Sequence, residues 1–534
     1  MPISSPAALE PDYDACVIGA GPAGLACALR IHARGLRVLV LEAGGERPTP
    51  GRPDIIAADI VEPKWHDPPD LTSAAALGGT SHWWGGRTVP FDPVDFRHWP
   101  IRYGDMAPWF EHAAEFFGAK GVHETPAPGA FAKLTHFDAA SDETWCPQIN
   151  MAKRWRAAIN APDGPVVVLN ARVVGLAIEG ARVRGVRVRL GDAEKTARAR
   201  HVVLACGGLG SLRLLLLAQR ETPALFGGPE GPLGRGYMGH LTGAIADFCP
   251  ADPSDADAFA FRPLGAGIDT RRRITARGET VEREGITNIA FWIDNAYNED
   301  PTHGSSVASA KYLAARFASQ LSLRGGTSIG APLKPHLDNV ARAPISAAVG
   351  LARALYLLSS AHITGRLPRS RRFTPASEGA WLMRYHAEQR PDADNRVSLS
   401  SAGADSVGLP RLSISFRFTD GDCESVVRAH ELLDADLQQA GAGSLRWRGA
   451  RETRLAMVST YACDGYHQLG GAAMSVDPTR GVVDPQCRVH GLENLWVASS
   501  CAFPTGGQAN PTLTVVALAL RLAERLVTHS SAAV

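Results

Sequence analysis

Apolar and polar positions alternate between two regimes along the chain. Short unbroken apolar runs, Asp14-Ala-Cys-Val-Ile18 and Leu36 to Leu41, predict strands buried on both faces of a parallel sheet. Between them, Leu25 to Ala33 predicts a helix stopped at Gly35. Further on, His201-Val-Val-Leu-Ala205 runs into a glycine-rich turn and then the apolar helix Leu212 to Ala218. Asn494-Leu-Trp-Val-Ala498 predicts another strand, followed by a loop to Ala509. A last helix starts near Asn510-Pro511-Thr512 and stays apolar all round until Arg521, Glu524 and Arg525, so its start is buried and its end is wet. Asn510 suits the N-cap and Pro511 the first turn. Ile345 to Ile363 is the longest apolar helical stretch. Arg353 in its middle and His362 near its end predict a buried or surface-lying helix, not a membrane span.

Strand, glycine turn, helix and strand in this order predict a dinucleotide-binding unit. Gly19 permits the tight turn, Gly21 lets a pyrophosphate approach the backbone, and Gly24 lets helix and strand pack closely. The helix start offers unpaired N–H groups and a positive dipole end to phosphates. Glu42 follows the glycines by about 20 residues, where a carboxylate accepts from ribose hydroxyls and disfavours a 2′-phosphate. The second glycine turn, Gly207-Gly208-Leu-Gly210, has a different spacing, so one full fingerprint is present. That predicts electrons leaving to oxygen, a quinone or a protein acceptor.

Two further segments suggest redox chemistry on an alcohol. A buried helix start at Pro511–Thr512 must aim its free N–H groups at something, and the negative pyrimidine edge of a reduced flavin fits. His467, in Tyr466-His467-Gln468-Leu-Gly-Gly471, is the side-chain type best placed to take a hydroxyl proton near neutral pH. Paired with the carboxamide of Asn510 it would hold an alcohol between the two.

Composition narrows the partners. The 534 residues are 45% hydrophobic and 20% charged, with 55 Lys plus Arg against 54 Asp plus Glu. The chain is long enough for a large core, and the balanced charge predicts no nucleic-acid partner. Nine scattered cysteines form no CxxC pair and read as buried free thiols in a reducing compartment. Met1 to Asp14 lacks a secretory pattern, so a cytoplasmic protein is expected, without a metal centre. Arg369-Ser-Arg-Arg372 reads as a solvated face, and the loops Pro48–Pro53 and Pro223–Gly236 as crossings between domains.

These residues together resemble the glucose–methanol–choline (GMC) oxidoreductases, which are FAD-dependent. The likeness is carried, in order, by the N-terminal fingerprint, Leu77-Gly-Gly-Thr-Ser-His-Trp-Trp-Gly-Gly86, Trp99 to Phe110, Glu388 to Leu399, Gly408-Leu-Pro-Arg411, Tyr466-His467 and Asn510-Pro511-Thr512. The resemblance implies an α/β fold, with a Rossmann-like FAD-binding domain interleaved with an α+β substrate domain built on an antiparallel sheet. The expected FAD-binding parts are 12–62, 70–100, 165–240 and 455–530, and the substrate-binding parts 101–164 and 241–454. It implies His467 as general base and Asn510 as the partner that holds the substrate oxygen. Gly79, Thr80, His82, Val174, Ala205, Ala498, Pro511 and Thr512 join Gly19, Gly21, Gly24 and Glu42 as expected cofactor-binding residues.

The His/Asn pairing is most similar to pyranose-oxidase-like members, which implies a small-molecule alcohol, a sugar, glycoside or aminocyclitol sugar, as substrate. Pyranose oxidases attach FAD covalently through a histidine in a Ser-Thr-His-Trp segment. Thr80-Ser81-His82-Trp83 resembles it, with a spacing one residue shorter, so a covalent link through His82 is an open expectation. A polar pocket for such a substrate is expected from Phe261 to Asn339, with Phe291-Trp292, Asn295, Asn298 and Asp300 to Ser306 as its candidates. The alternatives are a redox-neutral FAD-containing family member, such as a lyase or photoenzyme, and an oxidase of a non-sugar alcohol such as a sterol.

Overall fold

The computed structural model describes residues 6–49, 56–119, 125–299, 301–321, 333–364, 373, 375 and 379–531. The basic run Arg369–Arg372, residues 50–53 of the Pro48–Pro53 loop and Asp300 lie outside them.

A five-stranded parallel sheet carries the nucleotide half. Its strands are β1 (Tyr13–Ile18), β2 (Val38–Leu41), β3 (Val166–Val168), β4 (Ala199–Leu204) and Leu495–Val497, in the spatial order Leu495–Val497, β4, β1, β2, β3. The apolar runs of the sequence are buried here as expected, since helices cover the sheet. Helix α1 (Pro22–His32) leaves β1 through the glycine turn, and α2 (Gly207–Glu221) leaves β4 through the second one. The long C-terminal helix α3 (Thr512–Ser531) packs against α1, with Arg30 Nε 2.8 Å from Glu524 Oε2. These three helices start at the carboxyl ends of the parallel strands, the edge at which such sheets bind ligands.

The second half is built on a six-stranded antiparallel sheet containing β5 (His240–Pro250) and β6 (Trp381–Glu388) as neighbours. Gly443–Trp447 lies outside β5; Ile289–Asp294, Ile274–Ala276 and Phe137–Asp138 follow β6. The register places Thr242 opposite His386 and His240 opposite Glu388, so two histidines from far-apart segments share the sheet end nearest the nucleotide half. The helix Tyr103–Phe117 packs on α3, so its apolar face serves the nucleotide half.

The predicted helix over Ile345 to Ile363 is present as Pro344–Thr364, with Ile345, Val349 and Tyr356 exposed on it. Among the described residues no helix is long and apolar enough to cross a membrane. All nine cysteines are free. Burial pushes the thiols of Cys16, Cys27, Cys487 and Cys501 up to about 12, which makes them poor nucleophiles.

Candidate active site

The glycine turn is as tight as its sequence demands. Gly19 has φ +105°, and a Cβ there would lie 2.6 Å from the Ala205 carbonyl oxygen. A Cβ on Gly24 would lie 2.0 Å from the Gly19 carbonyl oxygen, so this glycine sets the helix–strand contact. Glu42 follows β2 directly and accepts the backbone N–H of Ala20 at Oε2 and of Gly44 at Oε1, each at 2.9 Å. Burial pushes its carboxyl up to about 7 against the pull of those N–H groups.

From this turn a cavity of about 790 Å³ runs between the two halves. At one end it is lined by Gly19, Gly21, Glu42 and Ala205, and at the other by His467, Asn510, Pro511 and Thr512. The starts of α1, α2 and α3 all open on it. Gly79, Thr80 and Ala498 line it between the ends.

His467 Nε2 lies 2.7 Å from Asn510 Nδ2. The other ring nitrogen, Nδ1, lies 3.0 Å from Asp464 Oδ2. Asn510 does not cap α3: its Oδ1 is buried and bonded to nothing, so it accepts no helix N–H. The Pro511 carbonyl accepts the N–H of Val515 at 2.8 Å and begins the helical ladder. The cap that the sequence predicts is thus turned outward, because the His467 ring offers the Asn510 amide a partner inside the cavity.

Two more histidines flank this pair. The rings of His240 and His386 stack at 4.3 Å, and His467 meets them edge-on at 4.7 and 5.2 Å. Burial pushes His240 down to about 3 and holds His386 well below the ordinary histidine range, so both are neutral. Each donates its one N–H to the loop before Asn510: His240 Nε2 to the Gly507 carbonyl at 3.0 Å, His386 Nδ1 to the Gln508 carbonyl at 2.5 Å. Nitrogens of the three histidines come within 4.8 Å of one another. Both His467 nitrogens are already engaged, by Asp464 and by Asn510.

Residues 391–519 match the GMC oxidoreductase family, and residues 14–49 and 92–236 match an FAD-binding domain. The chain thus carries a GMC oxidoreductase domain together with an FAD-binding one. It is an FAD-dependent enzyme that oxidises an alcohol group. Similar over their whole lengths are 6'''-hydroxyparomomycin C oxidase of Streptomyces lividus, 25% identical over 97% of this chain and 92% of that protein, and paromamine 6'-oxidase of Streptomyces fradiae, 23% identical over 96% and 91%. The solved structure of pyridoxine 4-oxidase from Mesorbium loti shares the fold, with a TM-score of 0.58 at 17% identity over 96% of this chain and 99% of that one.

The cavity fits FAD. Gly21 and Gly79 pack against one another in its wall, so closely that a Cβ on Gly79 would lie 2.8 Å from the Gly21 Cα, which leaves backbone alone at that point. Helix starts stand at both ends, one for a pyrophosphate and one for the ring system. Three of the predicted residues do not line the cavity. Gly24 acts from inside α1. Val174 lies where the strand Arg172–Glu179 shifts register, and the wall there is made by Ala171, Arg172 and Val173. His82 is the third. Its Nε2 lies 2.9 Å from the Leu77 carbonyl and its Nδ1 3.1 Å from Asn150 Nδ2, while Thr80, Ser81 and Trp83 form the wall. A covalent link through His82 therefore finds no support.

Substrate-side residues also differ from expectation. No described residue between Phe261 and Asn339 lines the cavity. Its walls come from Arg87, Trp145, Thr242 and His386, with the exposed Trp83 and Tyr466 beside them. Trp292 stands one layer behind, under the Arg87 guanidinium at 5.1 Å. Asp464, His240 and His386 carry no local motif. An acid three residues before His467 was the sole signal within reach of the sequence.

Proposed function

We propose that this enzyme oxidises a secondary or primary alcohol of a sugar or glycoside, with His467 as the base and Asn510 as the group that holds the substrate oxygen. The observation that carries the reading is the 2.7 Å approach of His467 Nε2 to Asn510 Nδ2 on the wall of the nucleotide cavity. A hydroxyl that takes the place of this mutual hydrogen bond donates its proton to Nε2 and accepts from the Asn510 amide. FAD, when bound, supplies the acceptor for the hydride of the alcohol carbon. The chain's part is to remove the hydroxyl proton, to steady the oxygen as charge develops on it, and to hold the carbon within reach. The start of α3, at Pro511 and Thr512, adds a positive dipole end beside the cofactor site.

A sugar suits the remaining walls. Trp83 and Tyr466 are 50% and 58% exposed and offer aromatic faces at the cavity. Arg87, ion-paired with Glu143 behind the wall, and Thr242 add polar groups to that wall. The two Streptomyces relatives, named for paromamine and hydroxyparomomycin, support the same class. The test is an anaerobic screen of sugars, glycosides and amino sugars that follows the flavin absorbance. Bleaching by members of these classes is the expected result, and admitting oxygen, a quinone or an acceptor protein afterwards identifies the oxidant. A flavin bleached by sterols or simple alkanols and by no sugar would overturn the proposal, and a flavin that no alcohol bleaches would return the redox-neutral alternative.

A further inference from the structure

We propose that Asp464 is a positioning residue that holds His467 in the single tautomer able to act as a base at Nε2. The inference rests on the base role of His467. Asp464 is buried beside His467 in a turn whose backbone converges on its carboxylate. Oδ1 accepts the N–H groups of Gly465, Tyr466 and His467 at 2.8, 2.9 and 3.1 Å. Oδ2 accepts the His240 N–H at 2.7 Å and faces His467 Nδ1 at 3.0 Å. Burial alone would raise this carboxyl, but the charge and hydrogen bond of His467 and the other donors outweigh it and hold it well below the usual carboxylate range.

A carboxylate can only accept, so the proton of a neutral His467 stays on Nδ1. The lone pair is then left on Nε2, which agrees with the Asn510 amide pointing its nitrogen there. In the opposite tautomer Nε2 would carry the hydrogen, Nδ1 would set a lone pair against the carboxylate, and no base would face the cavity. When the hydroxyl O–H bond breaks and an Nε2–H bond forms, His467 becomes an imidazolium whose Nδ1–H still points at Asp464. The proton stays on the imidazole and is not passed on. The neighbours from the other elements, His240 and His386, are neutral, and Asp67 in the adjoining turn is shifted toward its uncharged form by burial and by Asp464 itself. Asp464 is thus the anion against which the imidazolium forms.

The test compares Asp464→Asn with His467→Ala, both as FAD-loaded enzymes, by anaerobic flavin reduction over a range of pH. The amide keeps the size but no longer dictates the tautomer. The expected loss in reduction rate for Asp464→Asn is roughly 10²- to 10⁴-fold, with KM little changed. The rate of the variant should also keep climbing with pH where the wild type levels off, since ionised alcohol then replaces the missing base. Loss by one constant factor at every pH would mean a structural role and would overturn the proposal. So would a rate within threefold of wild type while His467→Ala is slow. Near-normal reduction by His467→Ala would instead remove the base reading beneath it. Should Asp464→Asn fail to fold, histidine ¹⁵N spectra of the wild-type holoenzyme decide, with His467→Gln identifying the signals. A protonated Nδ1 and bare Nε2 are expected, and the reverse would overturn the proposal.

Discussion

Two buried carboxylates line the same cavity from opposite ends, and they have opposite characters. Glu42, at the nucleotide end, meets the backbone N–H groups of Ala20, Ala43 and Gly44, and burial pushes it up to about 7. Asp464, at the alcohol end, meets four backbone N–H groups and an imidazole, and is held well below the usual carboxylate range. The difference follows from what each end does. We propose that Glu42 awaits donors from outside, the ribose hydroxyls of the cofactor. Asp464 has its donors built in, so that its partner His467 is oriented before any substrate arrives. One end is completed by its ligand, and the other is preorganised by the protein.

Altering the glycine turn should break the nucleotide end most severely. Gly24→Val should leave no bound flavin, because its Cβ would collide with the Gly19 carbonyl; the absorbance of the purified protein checks this. At the other end, Asn510→Ala should slow anaerobic reduction by about 10²- to 10³-fold with flavin still bound, the usual cost of losing a donor to a developing oxyanion. A smaller effect sharpens the contrast between the carboxylates. Ribose hydroxyls favour ionised Glu42, so FAD affinity of the flavin-free protein should rise with pH up to about 7, by at most about tenfold per unit. Titration of flavin fluorescence should show this slope in the wild type and not in Glu42→Gln. The stability signs also differ. Glu42 binds its proton more tightly when folded, so without flavin it costs stability as pH rises from its unfolded value toward about 7. Asp464 is depressed, so its contribution is present above the unfolded carboxylate value and lost as pH falls below it. The smallest effect is expected from His82→Ala, within a few-fold in reduction rate, with FAD released intact on denaturation of either protein.

The nucleotide end was legible because its chemistry lies in the backbone. Gly19, Gly21 and Gly24 act through the absence of a Cβ over six consecutive positions, and the strands beside them are continuous apolar runs. His467 and Asn510 were legible because the family resemblance points to both. The rest of the alcohol end was hidden for a physical reason. His240 and His386 meet only because β5 and β6 pair antiparallel, and Arg87 reaches the wall from a two-residue strand, Arg87–Thr88. No periodicity announces such convergence. The polar stretch after Phe261 misled because surface loops and sugar pockets share a composition. Its Trp292 stands behind the wall, stacked on arginines.

Anaerobic mixing of a reactive sugar with FAD-loaded His467→Ala bears most directly on the placing of an alcohol between His467 and Asn510. Removal of the base should slow flavin bleaching by roughly 10²- to 10⁴-fold while the flavin stays bound. Bleaching at close to the wild-type rate would show that some other group takes the proton.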